Sequence, residues 1–142
     1  MRTRKIPRRN RVEVQFAVPR RGLPSAASYR KWAQRARGVT LRVVGSREGL
    51  SFNKKFRKKT RPTNVLSFPY GKGAGDVVLC HPVIAREARA QGKSLAAHYA
   101  HLVVHGVLHL RGYDHMKKRD AARMERAEIR ILRRLGFANP YE

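Results

Sequence analysis

Ser94-Leu95-Ala96-Ala97-His98-Tyr99-Ala100-His101-Leu102-Val103-Val104-His105-Gly106-Val107-Leu108-His109-Leu110 is the stretch on which the fold turns. A surface helix carries one apolar stripe, whereas a helix that is apolar nearly all round is buried. The run is long and largely apolar, so it predicts the central, buried helix of the domain.

Upstream of it, Pro82 to Gln91 reads as a helix, with proline in the first turn and Gly92 just past the end. Asp76-Val77-Val78-Leu79-Cys80 reads as a buried strand, and Gly71-Lys72-Gly73-Ala74-Gly75 as a flexible, irregular link. Asn64 to Phe68 is a strand closed by Pro69. Ser46 to Lys59 is a short helix broken by Thr60-Arg61-Pro62-Thr63. Val39 to Val44 is a β-branched strand, and Ala26 to Arg37 a basic helix ended by Gly38. Val12, Val14, Phe16 and Val18 alternate with Arg11, Glu13, Gln15 and Ala17 as in a half-buried strand. Residues 1–11 read as a mobile basic arm.

Downstream, Arg111 to Lys117 is a loop opened by Gly112. Asp120 to Leu135 is the last helix, with Met124, Ala127, Ile131 and Leu135 on one face. The order β-α-β-α-β-β-α-α-α predicts an α+β fold: a small mixed sheet of about four strands packed with about five helices. At 142 residues the chain has room for one domain, spanning 1–142, and for a real core.

The charge narrows the partners. There are 33 Lys+Arg and 9 Asp+Glu, a formal net charge of +24. Residues up to Arg61 hold 20 basic and 2 acidic side chains; the remainder holds 13 and 7. A field of one sign and that size favours a polyanion, most often nucleic acid, with anionic lipid a minor competitor. No stretch approaches the roughly 20 apolar residues of a transmembrane helix, so no membrane partner is expected. Cys80 is the only cysteine, which leaves no intrachain disulfide. The basic N-terminus lacks an apolar h-region, against secretion. Its Arg-rich, acid-free start shares features with an organellar transit peptide, yet a strand-like run follows almost at once. A cytoplasmic location is expected.

His105 and His109 stand four apart on the central helix, one turn apart on one face, where they can share an ion. Gly112 lets the chain turn sharply, and His115 can then fold back over the same face. Three imidazoles leave a tetrahedral zinc one open position, which a catalytic site requires; nickel or copper would also accept such a site. The offsets also resemble the metzincin metalloprotease motif. In that motif a Glu, the general base, follows the first histidine. Here that position is Gly106, so proteolysis by that route loses its base.

The segment His105-Gly106-Val107-Leu108-His109-Leu110-Arg111-Gly112-Tyr113-Asp114-His115 resembles the signature of the YbeY family, metal-dependent single-strand endoribonucleases of bacterial ribosomal RNA maturation. Phe52-Asn53-Lys54-Lys55-Phe56-Arg57 with Pro62-Thr63-Asn64-Val65-Leu66-Ser67-Phe68-Pro69 resembles a second block of that family. Gly75-Asp76-Val77-Val78-Leu79-Cys80 resembles a third, and Ala97 to Val104 leads into the histidines in a similar way. The likeness covers roughly residues 50–136, while residues 1–45 match only in coarse pattern.

The resemblance implies His105, His109 and His115 as ligands of one zinc ion per chain, and Arg57 as the arginine acting on the scissile phosphate. It implies an endoribonuclease that processes the 3′ end of small-subunit ribosomal RNA and serves ribosome quality control. The implied partners are ribosomal RNA and ribosomal particles, with ribosomal proteins or a ribosome-associated GTPase. Lys54, Lys55, Lys58, Lys59 and Arg61 surround Arg57 and are the expected RNA contacts. No acid or base for the reaction is visible. Asp114 is a candidate to orient a ligand histidine, and His101, one turn before His105, either lines the cleft or sits in the core. Two features depart from the family: Asn64 stands where Asp is common, and the last helix is rich in arginine. The alternatives are a non-catalytic RNA-binding ribosome-assembly factor with a structural zinc, which a fourth protein ligand would reveal, and a small metalloprotease.

Overall fold

The computed structural model describes residues 11–57, 63–114 and 117–142. Among these residues the chain forms β1 (Val12–Phe16), α1 (Ala26–Trp32), β2 (Val39–Val44), α2 (Ser46–Phe52), β3 (Val65–Gly71), β4 (Ala74–Cys80), α3 (His81–Gln91), α4 (Leu95–Leu110) and α5 (Lys118–Arg134). The four strands make one sheet in the order β1-β2-β4-β3. β1, β2 and β4 run parallel, and β3 is antiparallel on the edge. This is the mixed sheet with five helices expected from the element order.

One face of the sheet presents Leu41, Val43, Val77 and Leu79, all fully buried beneath α4 with α1 and α5 around it. Each such side chain contributes about 1.5–3 kcal/mol when taken out of water. Tyr29 of α1 packs edge-on against Phe16, Trp32 and Tyr99, with ring centroids 5.7, 5.5 and 5.3 Å away. The other face carries a smaller cluster, with Val44, Leu66, Val78, Cys80 and Val83 buried and Phe52 and Phe68 packed against it. There Arg42 grips Glu48 through two hydrogen bonds of 2.6 and 3.1 Å.

α4 is capped by Ser94, whose hydroxyl accepts a hydrogen bond from the Ala97 amide. It lies close against the sheet because residue 106 has no side chain. A Cβ there would stand 2.6 Å from Val77 Cγ1 and 3.3 Å from Ser67 Oγ, and Ser67 donates to the Gly106 carbonyl.

The elements differ from the sequence expectation in four places. Helix α1 stops at Trp32 rather than Arg37, because Gln34 and Arg35 take left-handed backbone with φ of 58° and 55°. Each left-handed step costs a non-glycine residue roughly 1 kcal/mol or more. The Gly71–Gly75 stretch is regular: Lys72 and Gly73, with φ of 55° and 82°, form the two-residue turn of a β3–β4 hairpin. Pro69 does not end β3, since an edge strand tolerates a missing donor and the ladder shifts register there. The helix expected over Ser46–Lys59 is α-helical only to Phe52 and continues as a π-helical turn over Asn53–Arg57, burying Asn53 and exposing Lys54 and Lys55. No helix of the described residues is long and apolar enough to cross a membrane.

Candidate metal centre

Four histidines of α4, at 98, 101, 105 and 109, recur at intervals of three and four and so share one stripe of the helix. Successive ring centroids are 6.4, 6.4 and 4.7 Å apart. Access to solvent grows along the stripe: the side chains of His98, His101 and His105 are 4%, 14% and 22% exposed. The pair His105–His109 is the closest, with ring planes at 78°.

His101 and His105, in the middle of the stripe, face α5, and α5 answers them with a carboxylate. Glu128 lies 1% exposed on the apolar face of that helix, among Met124, Ala127, Ile131 and Leu132. His105 Nδ1 donates to Glu128 Oε2 at 2.6 Å, and His101 Nε2 donates to Oε1 at 2.8 Å. The Tyr141 hydroxyl donates to the same Oε1 at 2.5 Å. Burial alone would raise the carboxyl pKa. The hydrogen bonds from His101, His105 and Tyr141 outweigh it and hold the pKa at about 2. Burial, reinforced by the neighbouring carboxylate, pushes the Tyr141 phenol far up, so it stays a donor.

This arrangement fixes one imidazole. With Nδ1–H given to Glu128, His105 keeps its lone pair on Nε2, the form a metal ligand needs. His109, a turn further on, brings a second ring to the same open end of the stripe. The described residues thus supply two nitrogen donors and an outer carboxylate suited to a borderline-soft divalent ion. Among the described residues no group of three or more His, Cys, Asp or Glu is placed to hold a metal. The expected third ligand, His115, lies outside the described residues.

The other candidates fall as follows. His101 is mostly buried and bonded to Glu128. Asp114 is exposed in the loop after α4. Arg57 closes the π-helical turn, and Lys54 and Lys55 are exposed on it. Lys58, Lys59 and Arg61 lie outside the described residues. Asn64 donates to Glu87 Oε1 at 3.0 Å, and His98 Nε2 donates to the same oxygen at 2.9 Å. An aspartate at position 64 would set a second carboxylate against Glu87, so the amide suits its neighbour. Sequence reasoning missed Glu128 and Tyr141. The signal was an acid inside an otherwise apolar helical stripe, which must find partners when buried.

Known proteins match this chain over nearly its whole length. The sequence profile of the family described as Endoribonuclease YbeY matches residues 11–136. A Stenotrophomonas maltophilia protein named Endoribonuclease YbeY is 48% identical, with 95% of each chain covered. A protein of the same name from Xanthomonas axonopodis pv. citri is 50% identical, with 96% of each covered. One from Nitrosomonas eutropha is 49% identical, covering 92% of this chain and 97% of that one. The solution structure of a Thermotoga maritima protein matches at TM-score 0.50 and 22% identity, over 88% of this chain and 91% of that one, and so shares the fold. The profile match across residues 11–136 and the relatives at 48–50% identity lead to one assignment: the chain belongs to the YbeY family.

Proposed function

We propose that the protein is a zinc-dependent, single-strand-specific endoribonuclease of ribosomal RNA maturation, acting at the 3′ end of small-subunit RNA and in ribosome quality control. The observation that carries this reading is the His105–Glu128 bond beside His109, in a chain of the YbeY family. His105, His109 and His115 would hold the ion. When bound, the ion supplies Lewis-acid activation of water and of the phosphodiester.

The chain's own residues do the rest. Glu128 fixes the His105 tautomer and, being ionised, offsets part of the cation's charge. Arg57 neutralises charge developing on the phosphoryl oxygens with its planar fork. Lys54, Lys55, Lys58, Lys59 and Arg61 hold the RNA backbone and carry little sequence information. Ribosomal particles, and a ribosomal protein or ribosome-associated GTPase in the cytoplasm, would present the substrate.

The test is incubation of the zinc-loaded protein with single-stranded and structured RNA beside His109→Ala. Cleavage confined to single strands, lost in the variant while RNA binding persists, is the expected result. Undiminished cleavage by the variant or by metal-free protein would overturn the reading.

A further inference from the structure

Two open hollows lie side by side where β1 and β2 begin and where the β3–β4 turn meets the end of α4. One, of about 590 Å³, is lined by Arg35, Arg37, Lys72 and Arg111 together with Gly73 and Gly112. The other, of about 690 Å³, shares Arg35 and Arg37 and adds Arg30 and Lys31. Among the described residues neither lining holds an acid. None of Arg35, Arg37, Lys72 and Arg111 pairs with a described carboxylate, unlike Arg42, which is held by Glu48. The first hollow ends at Arg111 and Gly112, two and three residues beyond His109.

The backbone adds an independent observation. Three described non-glycine residues have positive φ: Gln34, Arg35 and Lys72. Two of these are cations, and both line the same hollow. Left-handed positions favour glycine or asparagine, so a long cation there breaks a local preference with no packing return, since Arg35 and Lys72 are exposed. Violations of this kind gather at functional surfaces.

We propose that the two hollows form one phosphate-binding track, which holds the single-stranded RNA on the side of the histidine site beyond Arg111. The assignment to a single strand rests on the nuclease reading above. It also fits the shape, because a flexible strand bends into adjoining hollows whereas a stiff duplex does not. The described linings contain no aromatic side chain for base stacking, so the track reads backbone charge and not sequence.

The test uses the full chain and the double variant Arg35→Gly/Lys72→Gly. Glycine suits both backbones, so the fold is not at risk. Arg35→Lys/Arg37→Lys serves as the charge-preserving control. Affinity for a long pyrimidine RNA is measured against potassium chloride concentration. Two lost phosphate contacts should lower the slope of log K on log salt by about 1.4, at roughly 0.7 per single-strand contact. The lysine control should keep the wild-type slope, and an oligonucleotide too short to leave the histidine site should bind all proteins alike. An unchanged slope in the glycine variant overturns the track. An equal or greater loss for duplex RNA overturns the single-strand assignment. Neither readout needs cleavage: a wild-type chain that bound RNA but never cut it, beside a glycine variant with the expected slope change, would sink the nuclease reading and spare the track.

Discussion

The open end of the histidine stripe and the hollow beside Arg111 lie close along the chain yet are built on opposite terms. Around Glu128 both carboxylate oxygens are engaged and the acid is buried. Around Arg35 and Lys72 the cations are exposed, lack described carboxylate partners and sit on strained backbone. The first arrangement holds one ring in one tautomer. The second leaves its charge uncommitted for a polyanion. Chemistry at a fixed atom calls for the former, and a grip on a moving strand calls for the latter.

The contrast breaks most sharply at Glu128. Glu128→Ala removes the acceptor that His105 shares with His101 and Tyr141. Affinity for zinc, the ion proposed above, read by chelator competition, should fall by roughly 10- to 100-fold. Stability, read by denaturant titration, should fall by about 1–3 kcal/mol or more. Tyr141→Phe is milder: the carboxylate keeps both histidines and loses one charged hydrogen bond, so a loss of about 1.5 kcal/mol is expected in the same titration. On the other side, Arg35→Gly alone should leave stability unchanged or raise it by up to about 1 kcal/mol, because relief of the left-handed strain offsets glycine's added unfolded-state entropy. A loss of more than that amount on thermal melting would mean that Arg35 packs, contrary to its exposure.

The smallest effect concerns a ring in neither region. His81 shares a 2.8 Å hydrogen bond with the Tyr99 hydroxyl, and burial lowers its pKa below the usual 6.5. The folded state therefore disfavours the proton that the unfolded chain accepts. The contribution is complete above pH 6.5 and is lost as pH falls below it. The stability difference between wild type and His81→Gln should narrow from pH 8 to pH 5.5, and a constant difference would show that the ring's titration is not linked to folding.

The sequence was most legible where a strong period met a clear stop. α4 begins and ends within one residue of expectation, and Val39–Val44 matches β2. It misled where propensity and tertiary need diverged. Ala33 to Arg37 looks helical, but the chain turns left-handed at Gln34. The glycines around Lys72 read as slack, yet they supply the dihedrals of a tight hairpin. His105 and His109 were legible as a pair because helical spacing alone brings them together. Glu128 was not, because its role exists only once α5 crosses α4.

Gly106 restricts what the enzyme's descendants could become. The site at which a zinc peptidase seats its proton shuttle is here closed off by a valine methyl from the neighbouring strand. Installing glutamate would lever the central helix off the sheet that positions it. One substitution cannot convert this scaffold into a peptidase; the whole helix–sheet contact would have to be rebuilt first.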